Sequence, residues 1–380
     1  MRQALLNARV LLDEGFVEGS AVLIEDARIA DVVAASDPRV AAADVRQDLA
    51  GLLLLPGFID TQVNGGGGVL FNDAPDVQTI RRIGAAHRRF GTTGFLPTLI
   101  SDDLDVVARA IDATDAAIAA GVPGVIGIHI EGPFLNSARR GTHDPSKLRS
   151  LDAAALPLLT SLRRGRTLVT LAPELAGVGM VQRLVDAGVI VAAGHTNATH
   201  REIAAALREG LRGFTHLFNA MSQLTVREPG VVGAALEDRS SWCGIIVDGR
   251  HVDPVVLRLA LRCKPVDRFM LVTDAMPTVG ADAKSFNLQG KEISVEDGVC
   301  VDEMGVISGS DLDMSTAVRN AMAQLQVDLP TAARMASLHP AAFLGLDHEL
   351  GRIAAGYRAN LVAVDTDLHV RATWIDGASA

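Results

Sequence analysis

The sequence predicts an α/β protein: a (β/α)8 TIM-like barrel with a small β-sandwich domain built from both chain termini. Three observations point there. Eight short apolar runs follow one another between Phe58 and Val272, helix-like stretches separate most of them, and both ends of the chain read as strands. A doubly wound open sheet shares this alternation, because periodicity alone does not show closure.

Residues 1–55 read as short strands and tight turns, with Ala21–Ile24 and Arg28–Val32 flanking Glu25-Asp26-Ala27 as a hairpin. From Pro56 the pattern changes to buried strands: Phe58–Val63, Gly94–Leu99, Val125–Ile130, Leu168–Leu171, Val189–Ala193, Gly213–Thr215, Gly244–Val247 and Phe269–Val272. Val77–Phe90, Leu104–Ala119, Val181–Ala187, Thr199–Glu209 and Pro254–Arg262 carry helical spacing between them. A β insertion near 284–307 follows, centred on Phe286–Val301 with Glu296-Asp297-Gly298 as its turn. Two helices are expected next, Met314–Leu325 and Thr331–Leu344, and then strands at Asn360–Val364 and Val370–Ile375. The expected division is a barrel over 56–345 and a small β domain from 1–55 with 346–380.

Composition narrows the function classes. Over 380 residues, 48% are hydrophobic and 21% charged, the balance of a folded globular chain. A net charge of −10 and 4% aromatic residues argue against a nucleic-acid partner, which would need a basic face and stacking platforms. The first twenty residues hold no apolar core like that of a signal peptide, and the run Leu52–Ile59 is broken by Pro56 and Gly57. Cys243, Cys263 and Cys300 form neither a disulfide framework nor a metal knuckle. These features predict a cytoplasmic protein with reduced thiols and no membrane partner.

Polar residues gather where the strands end, the face on which barrel enzymes build their sites. Strand alternation turns His129 and Glu131 inward if Ile126, Ile128 and Ile130 face the helices. The same counting points His195, His216 and Asp274 into the barrel mouth. Glu131, His195 and His216 offer one oxygen and two imidazoles, a set suited to Zn²⁺ with a position left for water. Asp274 is the candidate general base. The competing reading is four unrelated strand-end residues; two histidines and two carboxylates, each after an apolar run, favour the metal site.

Other candidates carry less. His129 reads as a barrel-layer histidine, His87 as solvated in a basic helix, His200 as lying near a helix start, and His339 as helix punctuation before Pro340. His348 and His369 lie in the C-terminal segment, away from the mouth. Gly65–Gly68 lacks a following GK[ST] and reads as a flexible loop. Ser308 and Ser310 have no GxSxG elbow, and Trp242 and Trp374 read as core.

The stretches PGFIDTQVNGGGG, GIHIEGPFLN, RGTHD, AAGHTNAT, THLFNAMSQLTVREPG, GIIVDGRHVD, LVTDA and ISGS, spread from Pro56 to Gly309, resemble the amidohydrolase superfamily. Within it they resemble the N-acetylglucosamine-6-phosphate deacetylases. The resemblance implies metal-dependent hydrolysis of N-acetyl-D-glucosamine 6-phosphate to D-glucosamine 6-phosphate and acetate. It implies that Thr142 and His143 contact the sugar, His143 steering the acyl carbonyl or steadying its developing charge. Asn219 and Ala220 would hold the phosphate with Arg227 and His251, while Asp248 and Ile307-Ser308-Gly309 line the same pocket. The resemblance also implies a homodimer, the grip closing across its interface; without the family match, Arg227 beside Glu228 is a surface ion pair.

Two departures matter. The superfamily's HxH pair after strand one is replaced by Gln62 and Asn64, which could offer only a weak second metal site, so one divalent ion per subunit, Zn²⁺, is expected. The strand-four segment LVTLAPE has no lysine to carbamylate, which weighs against cyclic-amide hydrolysis. The alternatives are deacetylation of the galactosamine epimer and a non-catalytic amidohydrolase-like scaffold.

Overall fold

In the computed structural model, which describes residues 1–379, eight parallel strands form one sheet in sequence order. They are β1 (Phe58–Val63), β2 (Thr92–Ile100), β3 (Gly127–Glu131), β4 (Arg166–Leu171), β5 (Ile190–Ala193), β6 (Gly213–Phe214), β7 (Trp242–Ile245) and β8 (Phe269–Leu271). All nine residues of β2 are buried, as expected for parallel strands covered on both faces. Tight approach helps set the register: a Cβ on Gly127 would fall 2.0 Å from the Arg166 carbonyl oxygen on β4.

The barrel closes between β8 and β1 through a short seam. Val63 and Ala275 form a parallel bridge, and the Asp274 amide donates to the Gln62 carbonyl at 3.1 Å. Asp60 secures the seam from inside: Thr273 Oγ1 donates to its Oδ2 at 2.5 Å, and the amides of Gln62 and Thr273 donate to its Oδ1. Burial pushes the Asp60 carboxyl up to about 7, against the pull of these donors.

Helices cover the barrel where sequence spacing supplies an apolar stripe. Leu104–Ala119 buries Val107, Ala110, Ile111, Thr114 and Ala117, three or four residues apart. His200–Arg208 starts at a capping box in which Thr199 and Glu202 satisfy each other's backbone amides. That cap ends the loop after β5 within a few residues of His195.

Both chain ends meet in one six-stranded sheet, where Leu53–Pro56 lies between Arg9–Leu12 and Leu361–Val364. A four-stranded sheet of Arg2–Leu6, Ser20–Glu25, Arg28–Ala34 and Val45–Asp48 packs with it around Leu5, Val22, Ile24, Leu54, Leu361 and Trp374. The insertion is a four-stranded antiparallel sheet whose last strand, Ile307–Ser310, bridges back to Ala275. No helix among the described residues is long and apolar enough to cross a membrane.

Five local expectations need correction. Thr331–Leu344 is two helices, Leu329–Ala336 and Leu338–Phe343, broken at Ser337, whose hydroxyl bonds back to the Ala333 carbonyl; Pro340 falls in the first turn of the second, where its missing N–H costs nothing. His339 lies buried inside that second helix with Nδ1 2.8 Å from the Phe269 carbonyl oxygen. Met314–Leu325 is α-helical only to Asn320 and continues as a π turn. Gly65–Gly66 pairs with Val69–Leu70 as a hairpin rather than a flexible loop, and His87 is buried beneath it with Nε2 2.9 Å from the Gly65 carbonyl oxygen.

Replacing Asp60 with Ala strands a buried hydroxyl and two buried amides, so urea unfolding should show a loss of at least about 2 kcal/mol. A midpoint unchanged from the parent would remove Asp60 from the seam's support.

Candidate active site

Three side chains converge at the C-terminal mouth of the barrel. Glu131 ends β3, and His195 and His216 lie two residues beyond the ends of β5 and β6. Their backbones turn left-handed there, with φ of +48° at His195 and +32° at His216, and Asp274 after β8 does the same at +53°. Such conformations cost non-glycine residues about 1–3 kcal/mol and persist only where the surroundings hold them.

The donor atoms suit a cation. His216 Nε2 lies 3.0 Å and His195 Nε2 3.2 Å from Glu131 Oε1, and the two Nε2 atoms are 3.0 Å apart. His195 Nδ1 sits 2.9 Å from the Arg139 carbonyl, which can only accept, so Nδ1 carries the proton and Nε2 presents a lone pair inward. Lone pairs from His195 and Glu131 thus meet with His216 Nε2, all three side chains being buried. Tetrahedral coordination at about 2.0–2.1 Å spaces ligand atoms by roughly 3.3 Å, close to the separations observed. Burial works against the Glu131 carboxylate, yet the hydrogen bond and charge of His216 hold it below the ordinary range. Burial would likewise lower His216, and Glu131 more than reverses that.

Asp274 stands across from this group. Gln62 and Asn64 act as amide donors rather than ligands: Gln62 Nε2 lies 3.1 Å from both Glu131 Oε2 and Asp274 Oδ1, and Asn64 Nδ2 lies 2.7 Å from Asp274 Oδ1. Gln62 thus links the two carboxylates, and Asn64 holds Asp274 alone. Burial and then the Glu131 charge raise Asp274 above the usual carboxylate range.

His143 packs edge-on against His195, ring centroids 4.4 Å apart. The Ser101 amide donates to His143 Nδ1 at 3.3 Å and the Ser101 hydroxyl lies 2.7 Å from it, so the ring's proton sits on Nε2. Burial, then the neighbouring His195, push His143 down to about 3, which keeps it neutral. Gly132 makes room for this contact, since a Cβ there would lie 2.2 Å from Ser101 Oγ at a φ of +95°.

These groups floor a cavity of about 340 Å³. The structure brings Thr142, Asn219, Ala220, His251, Ile307, Gly309 and Asn64 to its wall, together with Ile100, Arg139 and Met276, which sequence reasoning did not select. His129 stays in the barrel layer, its Nε2 2.7 Å from Thr170 Oγ1. Three expected lining residues lie elsewhere. Asp248 sits behind His251, accepting from its Nδ1 at 2.5 Å and capping its amide, so it orients that ring. Ser308 is buried with its hydroxyl turned to the Val306 carbonyl. Arg227 is exposed on the loop after β6, outside the cavity, and Glu228 instead accepts from the amides of His200 and Gly230.

Ser101 and Glu174 went unselected although the strand-end rule covers both. Ser101 directly follows β2. Glu174, shortly after β4, accepts from Asn136 Nδ2, Thr196 Oγ1 and the Asn197 amide, tying the β3 and β5 loops together.

A family model described as the amidohydrolase family matches residues 53–379. The chain is similar to a Shewanella sp. (strain ANA-3) protein named N-acetylgalactosamine-6-phosphate deacetylase, 42% identical over 371 residues, covering 98% of this chain and 94% of that one. It is similar to the solved N-acetylglucosamine-6-phosphate deacetylase of Pasteurella multocida, at TM-score 0.95 and 33% identity over the whole of both chains. It is also similar to a mutant N-acetyl-D-glucosamine-6-phosphate deacetylase from Mycobacterium smegmatis, solved in complex with N-acetyl-D-glucosamine-6-phosphate. That match has TM-score 0.89 and 33% identity, covering 100% of this chain and 99% of that one.

If Ser101 sets the His143 ring, Ser101→Ala should lower kcat/KM about tenfold, the worth of one buried hydrogen bond, without changing metal content. Steady-state kinetics showing no loss would leave His143 oriented by other means.

Proposed function

The chain belongs to the amidohydrolase family, and from that premise we propose that it hydrolyses N-acetyl-D-glucosamine 6-phosphate to D-glucosamine 6-phosphate and acetate. The observation that carries this reading is the meeting of Glu131, His195 and His216 opposite Asp274, beneath a cavity walled by the Asn219–Ala220 turn. A divalent ion held by Glu131, His195 and His216 would supply Lewis acidity, acidifying water and polarising a carbonyl oxygen. Asp274 takes the proton from the attacking water as its oxygen bonds to the acetyl carbon. The same carboxyl then gives that proton to the nitrogen as the C–N bond breaks. His143, neutral and protonated on Nε2, donates to the acetyl oxygen as charge builds there. His251, fixed by Asp248, and the Asn219–Ala220 turn hold the phosphate end.

One ion, Zn²⁺, per subunit fits the nitrogen-rich donor set and the use of Gln62 and Asn64 as tethers. A cytoplasmic homodimer is the assembly this reading takes. Arg227 lies outside its own chain's cavity, and the same loop exposes Leu224 and Val226, with Val255 and Leu259 exposed on the helix Pro254–Cys263; a second copy covering these residues would bring Arg227 to the neighbouring site. We take residues 1–55 with 346–380, of which 380 lies outside the described residues, as the small β domain beside the 56–345 barrel, a division supported by the apolar cluster drawn from both ends.

The name of the Shewanella relative favours one second reading, the galactosamine epimer as substrate. Comparing kcat/KM for the two N-acetylhexosamine 6-phosphates decides between them, the higher value naming the substrate. Asp274→Asn should reduce acetate release by at least about a thousandfold while metal content and thermal midpoint stay near the parent's. Turnover within a few-fold of the parent would take the proton transfers away from Asp274, and no acetate from either sugar phosphate would end the deacetylase reading.

A further inference from the structure

A dianionic phosphate inside a pocket needs cationic donors, and Arg227 of the same chain lies away from this one. Arg139 is the only arginine or lysine among the described residues that line the cavity. It lies in the short 3-10 turn Ser137–Arg139, in the long connection after β3. Its backbone carbonyl accepts from His195 Nδ1, and its side chain is anchored by one bond, Nε donating to Asn197 Oδ1 at 2.8 Å. No carboxylate pairs with it among the described residues, which leaves the two terminal nitrogens of the fork available.

The anchor also places the guanidinium. Asn197 follows Thr196, whose amide donates to the Ala220 carbonyl and which forms a parallel bridge with Met221. Arg139 is thereby tied to the loop that runs beside the Asn219–Ala220 turn. Phe218 and Ala220, both left-handed at φ +80° and +50°, fold that turn toward the cavity. Glu174 holds the arrangement through Asn136, Thr196 and the Asn197 amide.

We propose that Arg139 is a phosphate-binding residue of its own chain's site, its fork closing on the substrate phosphate from the β3 loop while the Asn219–Ala220 turn holds the other side. This rests on the sugar-phosphate reading above and adds a specificity determinant to it. A guanidinium fork can give two parallel hydrogen bonds to a phosphate, which an ammonium cannot. Arg139 therefore selects the phosphorylated sugar.

The test measures kcat/KM for N-acetyl-D-glucosamine 6-phosphate and for unphosphorylated N-acetyl-D-glucosamine in the parent, Arg139→Gln and Arg139→Lys, with the inhibition constant for inorganic phosphate. In Arg139→Gln the preference for the phosphorylated sugar should fall at least about tenfold, chiefly through KM, and phosphate should inhibit more weakly. Arg139→Lys should recover part of both. Equal losses on the two sugars, with phosphate inhibition unchanged, would overturn the proposal and make Arg139 a structural support for the His195 loop. A folded, metal-loaded parent that releases acetate from neither sugar fails the underlying reading instead. Thermal midpoints and metal content of both variants show whether a loss comes from misfolding.

Discussion

The constraint on which the rest of this structure depends is electrostatic: donor atoms of Glu131, His195 and His216 lie 3.0–3.2 Å apart in a buried barrel mouth. Lone pairs gathered so closely repel unless a cation or a proton sits among them. The Arg139 carbonyl fixes the His195 tautomer and denies the cluster one proton on the inward nitrogen. The fold then spends backbone strain at His195, His216 and Asp274 to keep the convergence. Ordering such a set without a ligand would be a pure cost to stability, which is why it reads as function.

Around that centre, most supporting contacts are ties between neighbouring strand ends. Asp60 and Thr273 draw β8 to β1, and this seam sets the distance from Gln62 and Asn64 to Asp274. Ser101 does the same for His143, Asp248 for His251, and Glu174 for the loops beside His195. Most of these ties join loops of different strands, Asp248 and His251 sharing the loop after β7, so the site inherits much of its precision from the barrel's strand order. The Gln62 amide is the clearest case: it bonds both carboxylates, the buried Glu131 and the half-buried Asp274, which sit in different environments.

The barrel and the convergent residues were legible because both follow from short-range rules. Parallel strands buried on both faces show as apolar runs, and alternation along β3 alone separates Glu131 from Ile130. What the sequence did not disclose depends on contacts between distant segments. His87 looks solvated among arginines, yet a hairpin 22 residues earlier covers it. Asp248 and Ser308 sit in the right loops but face away from the cavity, a matter of side-chain direction outside regular strands. Helix spacing continued through Ser337, where a serine back-bond and a following proline end one helix and begin another. Ser101 and Glu174 were within reach of the strand-end rule and were simply not selected by it.

The central claim, a single cation caged by one carboxylate and two imidazoles, is tested most directly by elemental analysis of the dialysed protein beside His195→Ala. The account predicts about one zinc per chain in the parent and a large loss in the variant, with folding retained. Two tightly held ions per chain, or one that survives removal of His195, would contradict it.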